Sequence, residues 1–131
     1  MKPLASARIY TSKRSRLYVT VYVWRTQKQI ADYCRERYKE QAPANIAGLF
    51  LGWTSATPEF GEIHLVGRSI TMEVVTHEAT HAAIHYARRR GIEIGETETG
   101  IASKEEELFC GVVGYLSGAI SCFLYKVGLV G

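Results

Sequence analysis

The sequence predicts an α+β fold in which a small, mostly antiparallel sheet packs on helices. Alternating apolar and polar residues are confined largely to the first half of the chain, and two long helical patterns fill the second half. The chain has 131 residues, 47% of them hydrophobic, which is enough for one domain to bury a core without disulfides. We therefore interpret 1–131 as a single domain, with the sheet and first helix in 1–67 and the long helices in 69–126.

The first elements follow from local patterns. Residues 16–24 alternate strictly between valine-rich and aromatic positions, which predicts a strand, and 7–10 predict a shorter strand that pairs with it across the polar turn at 11–15. Residues 26–41 place apolar side chains at helical spacing, and this helix is expected to end before Pro43, because the residue before a proline disfavours helical backbone.

A second hairpin and a long helix come next. Residues 48–53 and 62–66 are short apolar segments separated by turn-forming residues, and they predict two paired strands. The next helical pattern is expected to run from a Ser69 N-cap to Arg90, and the last from 103 to 126.

The last predicted helix is unusually apolar. Its 18 residues from 108 to 125 carry no charge, which is close to the length that a membrane span requires. A buried core helix is the favoured interpretation, since five small residues lower its hydrophobicity: Gly111, Gly114, Ser117, Gly118 and Ser121.

Composition favours a cytoplasmic protein without nucleic-acid or membrane partners. The net charge is +3, and the basic clusters at 13–16 and 88–90 are not interleaved with aromatic residues. Cys34, Cys110 and Cys122 are an odd number with irregular spacing, which indicates reduced, buried thiols rather than a disulfide framework. The N-terminal residues also lack the apolar segment of a secretory signal.

One motif in the sequence indicates a specific chemistry. His77-Glu78-x-x-His81 places two imidazoles four residues apart, so on a helix both can point at a single ion with Glu78 beside it. This pattern is typical of zinc hydrolases. The alternative is a charged helix face that happens to carry two unrelated histidines.

Catalytic zinc usually takes a third protein ligand. His85 lies a further turn along the same straight helix, too far to share the ion easily, so it is expected to be an ordinary helix-face residue. Ser103 and Glu106 fit a capping box, which leaves Glu107 as the favoured third ligand and Glu106 as the alternative. A row of small residues in line with Glu107 is expected to let the motif helix approach closely: Gly111, Gly114 and Gly118. Glu107 could instead be an exposed carboxylate favoured by the helix dipole.

Together, these segments resemble a known family. The motif at 77–81, followed after 25 residues by 107–114 (Glu-Leu-Phe-Cys-Gly-Val-Val-Gly), is similar to the ImmA/IrrE-type metallopeptidases and to related phage-encoded, gluzincin-like minimal domains. The resemblance covers about 70–126. It implies a single zincin-like domain with a Glu-bearing C-terminal helix and a bound Zn²⁺, with these roles: His77, His81 and Glu107 as metal ligands and Glu78 as general base.

The predicted function is therefore that of a cytoplasmic zinc metallopeptidase of phage or mobile-element type, which cleaves a peptide or protein substrate. A catalytically silent zinc-bearing protein-interaction module is the alternative, and a membrane helix at 108–125 is a third interpretation. Enzymes of this kind commonly hold substrate as an added strand, and 62–66 is the expected sheet edge. Spacing selects no oxyanion-stabilising residue among three candidates: His64, Tyr86 and Tyr115.

Overall fold

The structure, a computed structural model, describes residues 2–42, 46–95 and 99–130. This part of the chain forms a four-stranded sheet and three α-helices, which confirms the predicted α+β class. The elements are β1 (Ala5–Tyr10), β2 (Tyr18–Trp24), α1 (Gln27–Tyr38), β3 (Gly48–Gly52), β4 (Glu59–Val66), α2 (Met72–Arg89) and α3 (Lys104–Lys126).

The sheet is mixed rather than mostly antiparallel, so that prediction is wrong. Its strand order is β1-β2-β4-β3, and both predicted hairpins are present, because β1 pairs with β2 and β3 with β4 in antiparallel fashion. The hairpins meet where β2 pairs with β4 in parallel. The connection explains this: α1 leads into β3, which runs opposite to β2, and the turn after β3 reverses the chain once more, so that β4 runs parallel to β2.

The alternation in β2 directs its two sets of side chains to opposite faces of the sheet, as predicted, and each face packs on a separate core. Val19, Val21 and Val23 are fully buried against α2 and α3 on one face of the sheet. On the other face, Trp24 packs with α1, and Tyr22 lies beside it. The molecule is therefore layered, with α2 and α3 below the sheet and α1 above it.

Capping residues fix where the helices begin and end. Thr26 forms a full capping box at the start of α1, which ends at Tyr38, earlier than predicted, with Lys39 in the left-handed conformation (φ 58°). Pro43, predicted to lie beyond this helix, is outside the described residues. The N-cap of α2 is Thr71 rather than Ser69, because Ser69 belongs to a short 3-10 turn.

Helix α3 is buried on one side only. Its core face contains Val112, Leu116, Ile120 and Leu124. By length and composition α3 could cross a membrane, and 28% of its most apolar window is buried. The expected role of the glycine row is wrong. A Cβ built at each of its glycines meets nothing within 4 Å, because the row lies half a turn from the core face and away from α2: Gly111, Gly114 and Gly118.

The three cysteines are free thiols, but only Cys34 is buried. Cys110 and Cys122 are exposed, so the predicted burial is wrong for these two. Both lie on α3 outside its core face, since they do not fall at the four-residue spacing of Val112 and Leu116. An apolar neighbourhood in the sequence therefore did not determine which side of this helix is covered.

Candidate metal centre

Helix α2 brings His77, Glu78 and His81 together. One potential ligand atom from each residue lies within 4.8 Å of the others, so this group could hold a metal ion. The two imidazoles are exposed, whereas the Glu78 side chain is buried, with 5% of the residue accessible. The grouping follows from the sequence because residues four apart lie on one face of a helix.

The spacing of the two imidazoles fits a shared ion. The Nε2 atoms of His77 and His81 are 3.2 Å apart. Two nitrogen ligands bound tetrahedrally at zinc-like distances would stand about 3.3 Å from each other. The rings could therefore bind one ion almost as they stand. The same separation also allows a hydrogen bond between them when one of the two nitrogens is protonated.

Glu78 lies between these histidines and strand β3. Burial raises the pKa of its carboxyl group, while the nearby His77 and His81 act in the opposite direction. Strand β3 can approach this closely because residue 48 is glycine: a Cβ there would stand 2.9 Å from both Cγ and Oε2 of Glu78. The missing side chain at Gly48 therefore provides the space that the carboxylate occupies.

A second close approach fixes the other end of β3. A Cβ at Gly52 would lie 2.8 Å from the His85 ring. The Nε2 of His85 donates to the Trp53 carbonyl at 2.8 Å, since a carbonyl can only accept. His85 is thus outside the metal group, in accord with the sequence analysis, and it holds β3 against α2. The importance of Gly48 and Gly52 was missed, although glycines four apart in a strand share one face and often mark close contact.

We expect Gly48→Ala to lower the free energy of unfolding by about 1–3 kcal/mol, the usual cost of forcing atoms into an occupied space. Gly114→Ala is the matched control, because its Cβ meets open space and alanine favours a helix by up to about 1 kcal/mol over glycine. Urea denaturation of both variants measures the difference. Equal stability of Gly48→Ala and wild type would show that Glu78 turns aside without cost.

The predicted third ligands are not part of this group. Among the residues that the structure describes, the cluster contains neither Glu107, which is exposed, nor the half-buried Glu106. Ser121, near the end of α3, donates to the Met72 sulfur at the start of α2. The first turn of α2 therefore contacts a late turn of α3 and not the first turn, which carries Glu106 and Glu107.

Another carboxylate lies closer along the helix. Glu73 precedes His77 by one turn, and both residues line two adjoining cavities. One cavity, of about 570 Å³, is on the outer face of α2, and the other, of about 280 Å³, lies between α2 and the start of β3. Glu73 was missed in the sequence, where the i, i+4 spacing to His77 signals it.

The predicted edge strand is wrong. Strand β4, which contains residues 62–66, lies between β2 and β3 and is paired on both sides. Strand β3 is the edge beside Glu78. The sequence could not show this, because the pairing of β4 with β2 joins segments far apart in the chain.

A buried polar cluster lies on the opposite side of the sheet. The Glu62 carboxylate accepts hydrogen bonds from Tyr33 at 3.1 Å and Tyr38 at 2.7 Å. The Trp24 indole can only donate, and it donates to Nδ1 of His64 at 2.9 Å, so the proton of a neutral His64 is on Nε2, which bonds Glu62 at 2.9 Å. His64 is fully buried here and lines neither cavity of the metal centre.

Comparison of this chain with protein-family models, curated proteins and solved structures finds no match. The resemblance to the ImmA/IrrE-type metallopeptidases therefore stays a prediction. The structure by itself supports a group of three side chains that could hold a metal ion.

Proposed function

We propose that this chain is a zinc-dependent metallopeptidase. The observation that carries the proposal is the arrangement on α2: two imidazole nitrogens 3.2 Å apart, with a buried carboxylate beside them. A pair of histidines and an adjacent glutamate on one helix is the donor set that zinc hydrolases use. In the described part of the chain β3 has a free edge directly beside that carboxylate, and this edge supports a peptide as the substrate.

In this proposal His77 and His81 hold the ion through Nε2. Zinc, when bound, polarises a carbonyl oxygen and makes water more acidic. Glu78 accepts a proton from the attacking water and passes it to the leaving amine. Its position suits this role, because the carboxylate lies beside both imidazoles on the same helix and is held in a buried site.

Strand β3 has the geometry to bind an extended peptide. Trp53 N donates to Phe60 O, and Val66 N donates to Ala47 O, so the odd-numbered residues of this segment bond to β4. In an antiparallel pair the intervening residues direct their N–H and C=O groups outwards. Gly48, Phe50 and Gly52 therefore present main-chain groups at the free edge, next to Glu78. A peptide strand added there lies beside the proposed general base.

The third ligand is a separate part of the proposal. The family resemblance favours Glu107, with Glu106 as the alternative, and either requires the start of α3 to move towards His81. Glu73 is the carboxylate that already shares a cavity with both histidines. Metal content of Glu107→Gln, Glu106→Gln and Glu73→Gln, each measured beside wild type, decides which carboxylate contributes to affinity.

We expect His81→Ala to lose bound zinc, because a single imidazole remains in the pair. Zinc affinity should fall at least about a hundredfold. Removal of a residue that only supports a metal ligand already costs up to about a hundredfold, and His81 would be a ligand itself. Elemental analysis of purified protein, with competition by a chromophoric chelator, measures it. His85→Ala is the control, since His85 is outside the metal group and should keep the metal.

Cleavage of casein tests the activity itself. A chelator should block this cleavage, and added zinc should restore it. Retention of zinc by His81→Ala would contradict the metal site.

A wild-type protein that binds zinc but leaves casein intact would instead support the second candidate, a catalytically silent interaction module. One observation favours that candidate: only two histidines and Glu78 meet in the described part of the chain. For either candidate we propose a cytoplasmic protein, in line with its three free thiols.

A further inference from the structure

A cavity of about 380 Å³ lies between the end of α1 and strand β3, on the face of the sheet opposite α2. We call it the α1 pocket. Its floor is apolar and includes the buried Cys34, and its wall contains two aromatic rings, those of Tyr38 and Trp53, whose centroids are 5.0 Å apart. The remaining lining residues are Glu40, Gln41, Ala42, Leu49, Leu51 and Gly52.

The pocket adjoins the free edge where the proposed substrate binds. Successive side chains of a strand point to opposite faces of the sheet. In β3, Gly48 and Gly52 face α2, whereas Leu49 and Leu51 face α1 and line the pocket. Side chains directly opposite each other on paired strands share a face. A peptide residue opposite Leu49 or Leu51 therefore directs its side chain to the α1 side.

We propose that the α1 pocket binds one large apolar side chain, best an aromatic one, of a peptide that pairs with β3. This inference rests on the proposed function for the position of the peptide. The chemistry follows from the lining, since aliphatic atoms and two rings favour apolar and aromatic groups. The Glu62 carboxylate does not line the pocket, since it is 2% exposed and is covered by Tyr33 and Tyr38, which donate hydrogen bonds to it.

The pocket thus selects substrates independently of the metal centre. Peptide residues next to the selected one point to the α2 side, towards Glu78 and the two histidines. A single bound strand would therefore place one residue in the α1 pocket while the residues on either side of it face the metal centre. Selection of a bulky apolar residue near the scissile bond is the expected consequence.

The test is binding of a random heptapeptide library to wild-type protein, with cleavage of the same peptides followed in parallel. Bound peptides should share a large apolar residue at one position, and replacing it with serine should weaken binding about tenfold or more. Ala42→Phe, which fills the pocket, should remove this preference. Ala102→Phe makes the same change at an exposed residue before α3 and should keep it.

The outcomes separate this inference from the proposed function. Peptides that are bound with the preference but never cleaved support the pocket and contradict the peptidase. Cleavage without the preference, absence of peptide binding, or an unchanged preference in Ala42→Phe overturns the pocket. Should Ala42→Phe not fold, tryptophan emission decides, because Trp53 lines the pocket. Emission should change with a phenylalanine peptide but not with its serine counterpart, and Trp53→Phe should lose that change.

Discussion

Glu78→Gln should abolish hydrolysis while leaving the metal in place. Gln has the size of Glu but cannot accept and return a proton, and general-base catalysis contributes about 10²–10⁴-fold to rate. Since His77 and His81 supply the imidazole nitrogens, zinc content should remain close to that of wild type. Cleavage of casein and elemental analysis of the same preparation measure the two properties together.

The same variant should be more stable than wild type in the absence of metal. Burial raises the pKa of Glu78, so the folded state disfavours the ionised form that dominates at neutral pH. The folded state then binds the proton more tightly than the unfolded one, and stability from this residue is lost as pH rises above about 4.3, the usual glutamate value. The advantage of Glu78→Gln should therefore grow from pH 4 to pH 7 in thermal unfolding.

Glu73→Gln is the matched control for this stability effect, because Glu73 is an exposed carboxylate on the same helix. Its melting temperature should follow that of wild type across the pH range, because an exposed charge changes the free energy of unfolding by only roughly a few tenths of a kcal/mol. A metal-loaded Glu78→Gln protein that cleaves casein as fast as wild type would refute the assigned base. A variant that loses both zinc and activity would show that Glu78 is instead a ligand.

Features set by local geometry were predictable from the sequence. The alternation in β2 indicated which side chains face each core, and the two hairpins join neighbouring segments. His77, Glu78 and His81 meet because helix geometry alone brings residues four apart together. Ser103, the predicted N-cap of α3, accepts from the Glu106 amide for the same local reason.

Features set by long-range packing were not predictable. The parallel pairing of β2 with β4 makes β3 the edge, and nothing in the 62–66 segment signals that neighbour. A row of glycines on α3 is compatible with close packing against another helix and equally with exposure to solvent. The row therefore could not show which face of α3 packs on the core. In the structure the side of α3 that carries Val112 and Leu116 packs on the core. Glu107 lies on the opposite side of the helix, so its carboxylate is outside the histidine group.

Glu62→Ala should be among the most destabilising single changes in this protein. The carboxylate is 2% exposed and accepts hydrogen bonds that join α1 to β4. Alanine would leave the buried His64 Nε2–H without its acceptor and would remove the carboxylate that Tyr33 and Tyr38 share. An unpaired buried donor costs about 1–3 kcal/mol and a hydrogen bond to a charged group contributes about 1.5–3 kcal/mol, so a loss of about 3 kcal/mol or more is expected.

This contribution should depend on pH with a definite sign. Burial alone would raise the pKa of Glu62, but the hydrogen bonds from His64, Tyr38 and Tyr33 outweigh it, and the pKa lies below the usual value. The folded state therefore favours the ionised form. The stabilisation is present above about pH 4.3, the usual glutamate value, and is lost as pH falls through the lower pKa of the folded state.

Urea denaturation of wild type, Glu62→Gln and Glu62→Ala at pH 7 and at pH 3 measures both effects. The gap between wild type and Glu62→Gln should be wide at pH 7 and narrower at pH 3, because below about pH 4.3 the unfolded chain binds a proton at this residue more readily than the folded state does. Glu36→Gln, at an exposed position of α1, should stay within about 0.5 kcal/mol of wild type at pH 7. A gap that is constant or grows in acid would show that the ionised Glu62 does not hold α1 on the sheet.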